Sequence, residues 1–179
     1  NRMLTYAEKR RDIIKHAGDA LHLAKRAIFA LHRDDMKEAG EKLAASEKIL
    51  KALHKKYGKD AQLMAEGSLR EATEEFVEAT LFLYFLQDKK IGKLDGLYIT
   101  EDVYIAGLCD LPGELQRYAV KAATARDMDT VVKCQMLAEQ IVGELTEFNL
   151  TRYLRNKFDQ AKQAVRRIEQ VVYELSLRE

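Results

Sequence analysis

The chain has 179 residues, with 30 Lys and Arg against 29 Asp and Glu, one proline and no tryptophan. That length is enough to bury a real core in a single domain covering 1–179, and a net charge of +1 names no partner by its sign. So few helix breakers point to an all-α chain, while two lone cysteines, Cys109 and Cys134, exclude a disulfide framework and a CxxC zinc site.

Apolar residues from Ile13 to Leu31 recur at helical spacing and predict a first helix from Thr5 to about Arg33. This segment is locally basic, with Arg2, Lys9, Arg10, Arg11, Lys15, Lys25, Arg26 and Arg33 against Glu8, Asp12 and Asp19. It reads either as a solvated helix face or as an anion-binding surface. Asp34 is placed to cap a second helix of about 35–57, which Gly58 closes as a C′ residue. Asp60 then caps a third helix running to about Asp88. Its stretch from Phe76 to Leu86 is apolar on every face apart from Glu78 and Thr80, yet far short of the ~20 residues a membrane span requires. Such a helix belongs at the centre of a bundle or in an oligomer interface. Further helices are expected at about 101–125, broken in its ladder by Pro112, at 127–148 and at 151–176. No membrane anchor or signal peptide is visible, so a soluble, cytoplasmic protein is expected.

Two acidic pairs carry the chemistry. Glu75 and Glu78 are i,i+3 on the third helix, and Asp110 and Glu114 are i,i+4 around Pro112, so each pair shares a helix face. Carboxylates so placed suit a hard divalent ion such as Mg²⁺ or Mn²⁺, which takes oxygen ligands and tolerates water and phosphate beside them. The plainer reading makes Glu75 part of a solvated run with Glu71 and Glu74, and Asp110 an N-cap with Glu114 in the first turn. Glu78 favours the metal, because an ionised carboxylate inside an apolar run is costly unless compensated. No Glu has a His three residues on, as a ferritin-like di-iron site requires, and no Gly-rich phosphate loop is present.

Four segments resemble the translin and translin-associated factor X (Trax) superfamily. Lys25 to Arg33, reading KRAIFALHR, resembles the "KR-IF-LHR" segment of Trax. Glu75 to Ala79 is similar to its "E-[FY]-V-E-A" motif, and Tyr104 to Arg117 to its "DYL-GV-DLTGEL-R" segment, with Pro112 in place of the threonine. Val165 to Arg178 resembles the C-terminal helix of translin. The segments stand in the family's order.

The resemblance implies a six- to seven-helix bundle of the translin type that assembles into a hollow homo-oligomer, an octamer, enclosing nucleic acid. It also implies a Mg²⁺-dependent endoribonuclease (with Mn²⁺ as the alternative ion), because the acidic residues of the catalytic Trax branch fall on Glu75, Glu78, Asp110 and Glu114. Glu78 and Glu114 are the expected metal ligands, while Glu75 and Asp110 complete the shell or orient water. Lys25, Arg26, Arg33 and Arg117 are the expected phosphate contacts to short or single-stranded RNA, or to single-stranded DNA. The alternative is a non-catalytic binder of single-stranded nucleic acid, as in the translin branch; a helical scaffold without nucleic acid is a third reading. The long insertion of eukaryotic Trax is replaced here by about Lys89–Thr100, which implies a compact relative of prokaryotic type.

Overall fold

A computed structural model describes residues 2–177, with side chains placed from Thr5 to Leu177. Arg2 of the basic segment and Arg178 of the C-terminal motif have side chains outside the described residues. Seven helices are present and no strand occurs among the described residues. The backbone contacts divide the chain into two compact units, 1–104 and 105–179.

Unit 1 contains α1 (Arg2–His32), α2 (Met36–Tyr57), α3 (Ala61–Met64), α4 (Gly67–Leu86) and the first turn of α5 (Glu101–Thr124). The buried face of α1 is a run of small side chains, Ala17, Ala20, Ala24, Ala27 and Ala30, set between Ile13, Ile28 and Leu31. Small residues at this spacing let α2 and α4 lie close along α1. Leu43, Leu50 and Leu53 of α2 and Leu69, Phe76, Val77, Leu81 and Phe82 of α4 supply the bulk of the core. Ser46 is buried among them and its Oγ donates to the Ala20 carbonyl at 2.9 Å, which pins α2 to α1.

Three local expectations need correcting. The α1–α2 corner is closed by Asp34 in the left-handed region (φ 62°), and Asp35, one residue later, caps α2 by accepting from the Glu38 amide. Gly58 is right-handed (φ −58°); its smallness matters because a Cβ there would stand 2.4 Å from the His54 carbonyl oxygen. The third helix is two helices. Glu66 turns the backbone out of the helix (φ −59°, ψ 127°), and its carboxylate accepts from Arg10 Nε at 2.6 Å instead of capping α4. The central apolar helix is therefore α4. It is buried through Phe82, whereas Leu83 to Leu86 are half-exposed.

Residues 87–100 join α4 to α5 without regular structure and lie against α2. Leu94 is buried, Gly96 takes φ 93° beside the Glu47–Lys51 ion pair, and the Tyr104 hydroxyl donates to the Gly92 carbonyl at 2.7 Å.

Unit 2 contains the rest of α5, α6 (Met128–Leu145) and α7 (Arg152–Ser176). The helix runs unbroken through Pro112, so Asp110 stands in mid-helix and the N-cap reading of it is overturned. Val131, Cys134, Ala138, Ile141 and Leu145 line one face of α6, and Leu154, Phe158, Ala161, Val165 and Ile168 line the facing stripe of α7. Asp127 caps α6 directly after Arg126, another left-handed residue (φ 59°). Among the described residues no helix is long and apolar enough to cross a membrane.

Candidate carboxylate site and nucleic-acid surface

On α4 the carboxylates separate by depth. Glu78 is 7% exposed and Glu74 only 4%, whereas Glu75 is half-buried. Glu74 and Glu78 lie one turn apart on the buried face, with Glu75 rotated to its edge. Glu74 is held by Arg70, whose Nε donates to it at 2.7 Å; Nη1 of the same guanidinium donates to Asp102 at 2.6 Å. Burial pulls the Arg70 pKa down, but its bonds to Glu74 and Asp102 outweigh that and raise it. Asp102 is held below the usual carboxylate range, first by the Thr100 hydroxyl and then by Arg70. Glu74, Arg70 and Asp102 were missed as site residues in the sequence. The signal was there in part, since Arg70 and Glu74 are i,i+4, but Glu71, Glu74 and Glu75 read together as a solvated run.

In unit 2 the second pair meets a different environment. Asp110 and Glu114 are both half-buried on α5, and Asp110 accepts a hydrogen bond from the ammonium of Lys157 on α7. That ammonium also stands over the Tyr153 ring, 5.4 Å from its centroid. Cys109, beside Asp110, and Cys134 are buried free thiols whose pKa burial pushes up to about 12, so neither is a nucleophile. Among the described residues, neither unit by itself gathers three His, Cys, Asp or Glu side chains as a metal cluster would.

Lys25 and Arg26 are exposed on α1, Arg33 is exposed in the turn directly after it, and Arg117 is exposed on α5. Along α1 the exposed positions Arg11, Lys15, His22, Lys25, Arg26 and Phe29 fall on one stripe at helical spacing, and Arg33 follows in the turn beyond its end. The charge is partly balanced. Arg33 and Arg26 approach Glu38 of α2 at 2.9 and 3.8 Å, and Asp12 accepts from Lys56 at 2.8 Å and from Tyr57 at 2.5 Å. Phe29 is 55% exposed within the stripe, an aromatic that periodicity alone did not single out.

A family model described as the Translin family matches residues 8–179. The chain belongs to the Translin family. Translin of Gallus gallus is 32% identical over 84 residues, 46% of this chain and 37% of that protein; Translin of Homo sapiens is 30% identical over the same shares. The match thus spans well under half the length of these relatives. Among solved structures, the apo-NeC3PO crystal structure superposes with a TM-score of 0.89 at 19% identity, covering 97% of this chain and 93% of that one. AfC3PO gives 0.88 at 21% identity, over 99% and 95%. An AfC3PO–duplex RNA complex gives 0.85 at 22% identity, over 99% and 94%. At these identities the likeness establishes that this Translin-family chain has the translin-type all-α fold.

Proposed function

We propose that the chain binds RNA and cleaves it as a metal-dependent endoribonuclease. The observation that carries the reading is Glu78, a carboxylate buried on the core-facing side of α4 one turn from a second buried carboxylate, Glu74. Two acids on one buried face bring carboxylate oxygen to a site of low water access, where a divalent cation is strongly favoured. Each acidic pair, Glu75 with Glu78 on α4 and Asp110 with Glu114 on α5, offers the carboxylate oxygen that a hard ion takes, with Glu78 and Glu114 as the proposed ligands. A bound Mg²⁺ or Mn²⁺ would supply an activated water and charge stabilisation at the phosphodiester. Glu75, at the edge of the buried face, and Asp110, steadied by Lys157, would each complete the shell or orient water beside their own pair. Lys25, Arg26, Arg33 and Arg117 would hold backbone phosphates, and Phe29 offers a face on which a base can stack. The acting form is a homo-oligomer, an octamer in this reading, for which the half-exposed Leu83 to Leu86 provide apolar contact surface.

The test is cleavage of a short single-stranded RNA with Mg²⁺ or Mn²⁺ and with EDTA. Glu78→Ala should lower the rate at least about 100-fold while gel-shift affinity holds. Undiminished metal-dependent cleavage by that variant would sink the assignment.

A second reading, binding of single-stranded RNA or DNA without cleavage, has its own observation. Asp110 already has a cationic partner in Lys157, so in unit 2 an acid is satisfied by protein alone. Salt-sensitive RNA binding with no metal-stimulated cleavage in any preparation would establish it.

A further inference from the structure

Unit 1 carries an open cavity of about 770 Å³ where the end of α2, the short α3, the first turns of α4 and the link into α5 meet. That volume lies within the range of small-molecule sites and far beyond what water needs. Its walls are chiefly apolar, with Met64, Leu69, Ile99 and Val103 among them. Two rings stand at its edge. His54 and Tyr98 meet edge to face, centroids 5.9 Å apart, and Tyr98 keeps 72% of its surface exposed. A ring so exposed beside an apolar cavity presents a face for a third ring.

The polar groups select the charge of the occupant. Arg70 lines the cavity, but Glu74 and Asp102 balance its guanidinium, so an anion finds no uncompensated cation in this lining. Burial lowers the His54 pKa, which leaves a neutral imidazole able to donate at one nitrogen and accept at the other. The Asp102 carboxylate accepts from Thr100, Arg70 and the Val103 amide and keeps acceptor capacity beyond them, and the Thr73 hydroxyl, which donates to the Leu69 carbonyl, still accepts. The lining therefore suits a neutral planar ring with donors and acceptors around its edge.

We propose that this cavity is a nucleobase site, taking a neutral purine or pyrimidine that stacks on Tyr98 with its edge toward His54 and Asp102. The source is either a free nucleoside or a base carried by RNA. The site lies wholly within unit 1 and does not rest on the nuclease reading.

The experiment is calorimetric titration of the full chain with adenosine, cytidine and their 5′-monophosphates, in EDTA and without RNA. Binding of a nucleoside with a Kd on the order of 0.1 mM is expected, with little dependence on salt. Tyr98→Ala, at an exposed position that does not threaten folding, should weaken it about tenfold, while Tyr98→Phe should preserve it. Bound adenosine displaced by a short oligoadenylate assigns the pocket to an RNA base; adenosine retained assigns it to a free nucleoside. No binding up to several times the expected Kd would overturn the proposal. So would Tyr98→Ala binding as the parent does, or monophosphates binding severalfold tighter with steep salt dependence, which would make this an anion site.

Discussion

Two helices of this chain each carry acids one turn apart, and their surroundings treat them in opposite ways. On α4, Glu74 and Glu78 are turned into the core of unit 1, and an arginine one turn before Glu74 is divided between that acid and Asp102. On α5, Asp110 is only half-buried and has a lysine from another helix directly on it. The difference teaches that acid spacing alone does not distinguish a ligand from a structural ion pair. The two pairs differ in depth and in where a compensating cation comes from, the same helix for Glu74 and another helix for Asp110.

The sharpest way to break the comparison is catalytic. Glu78→Ala should cut RNA cleavage at least about 100-fold, and Asp110→Ala should cut it as well if both helices serve one reaction. Cleavage by Asp110→Ala at the parental rate would leave α5 with a purely structural acid. Stability separates the helices next. Lys157→Ala removes the ammonium that donates to the half-buried Asp110 carboxylate and should destabilise unit 2 by about 2 kcal/mol in urea titrations, and Asp110→Asn in the same background should recover part of the loss. Smaller again is the corner before α6: Arg126→Gly relieves a left-handed non-glycine and should stabilise by about 1 kcal/mol in the same assay.

Acid should act on unit 1 in two steps. His54 titrates lower folded than unfolded, so its contribution is present above the ordinary histidine pKa of about 6.5 and declines as pH falls through the folded value. Asp12, lowered by the Lys56 and Tyr57 hydrogen bonds, and Asp102, lowered by Thr100 and Arg70, stabilise above the ordinary carboxylate pKa of about 4 and lose that below it. Thermal melts between pH 8 and pH 3 should show stability falling with acid, and His54→Gln should remove the earlier decline.

Much of this was legible in the chain. Amphipathic spacing placed α2, α5 and α7 to within a residue or two, because their apolar stripes are long. The break at Glu66 was not, since the side chain that would cap α4 is engaged by Arg10, 56 residues away in sequence. The same holds for Asp110, whose partner lies 47 residues on. Glu74 was hidden for another reason: three glutamates in five positions look solvated, and only the packing of α1 and α2 against α4 decides which of them turns inward. The four motif acids could be named from resemblance; their different depths could not.

Burial of the two thiols has a practical side. With pKa values near 12, roughly one Cys109 or Cys134 in 10⁵ is ionised at neutral pH, and both are sealed from solvent. A maleimide dye would pass them by. A single new cysteine at an exposed position, Lys25→Cys in unit 1 or Met136→Cys in unit 2, would then be the reactive thiol, and the pair would make a fluorescence ruler spanning the two units without any native residue being removed to silence the background.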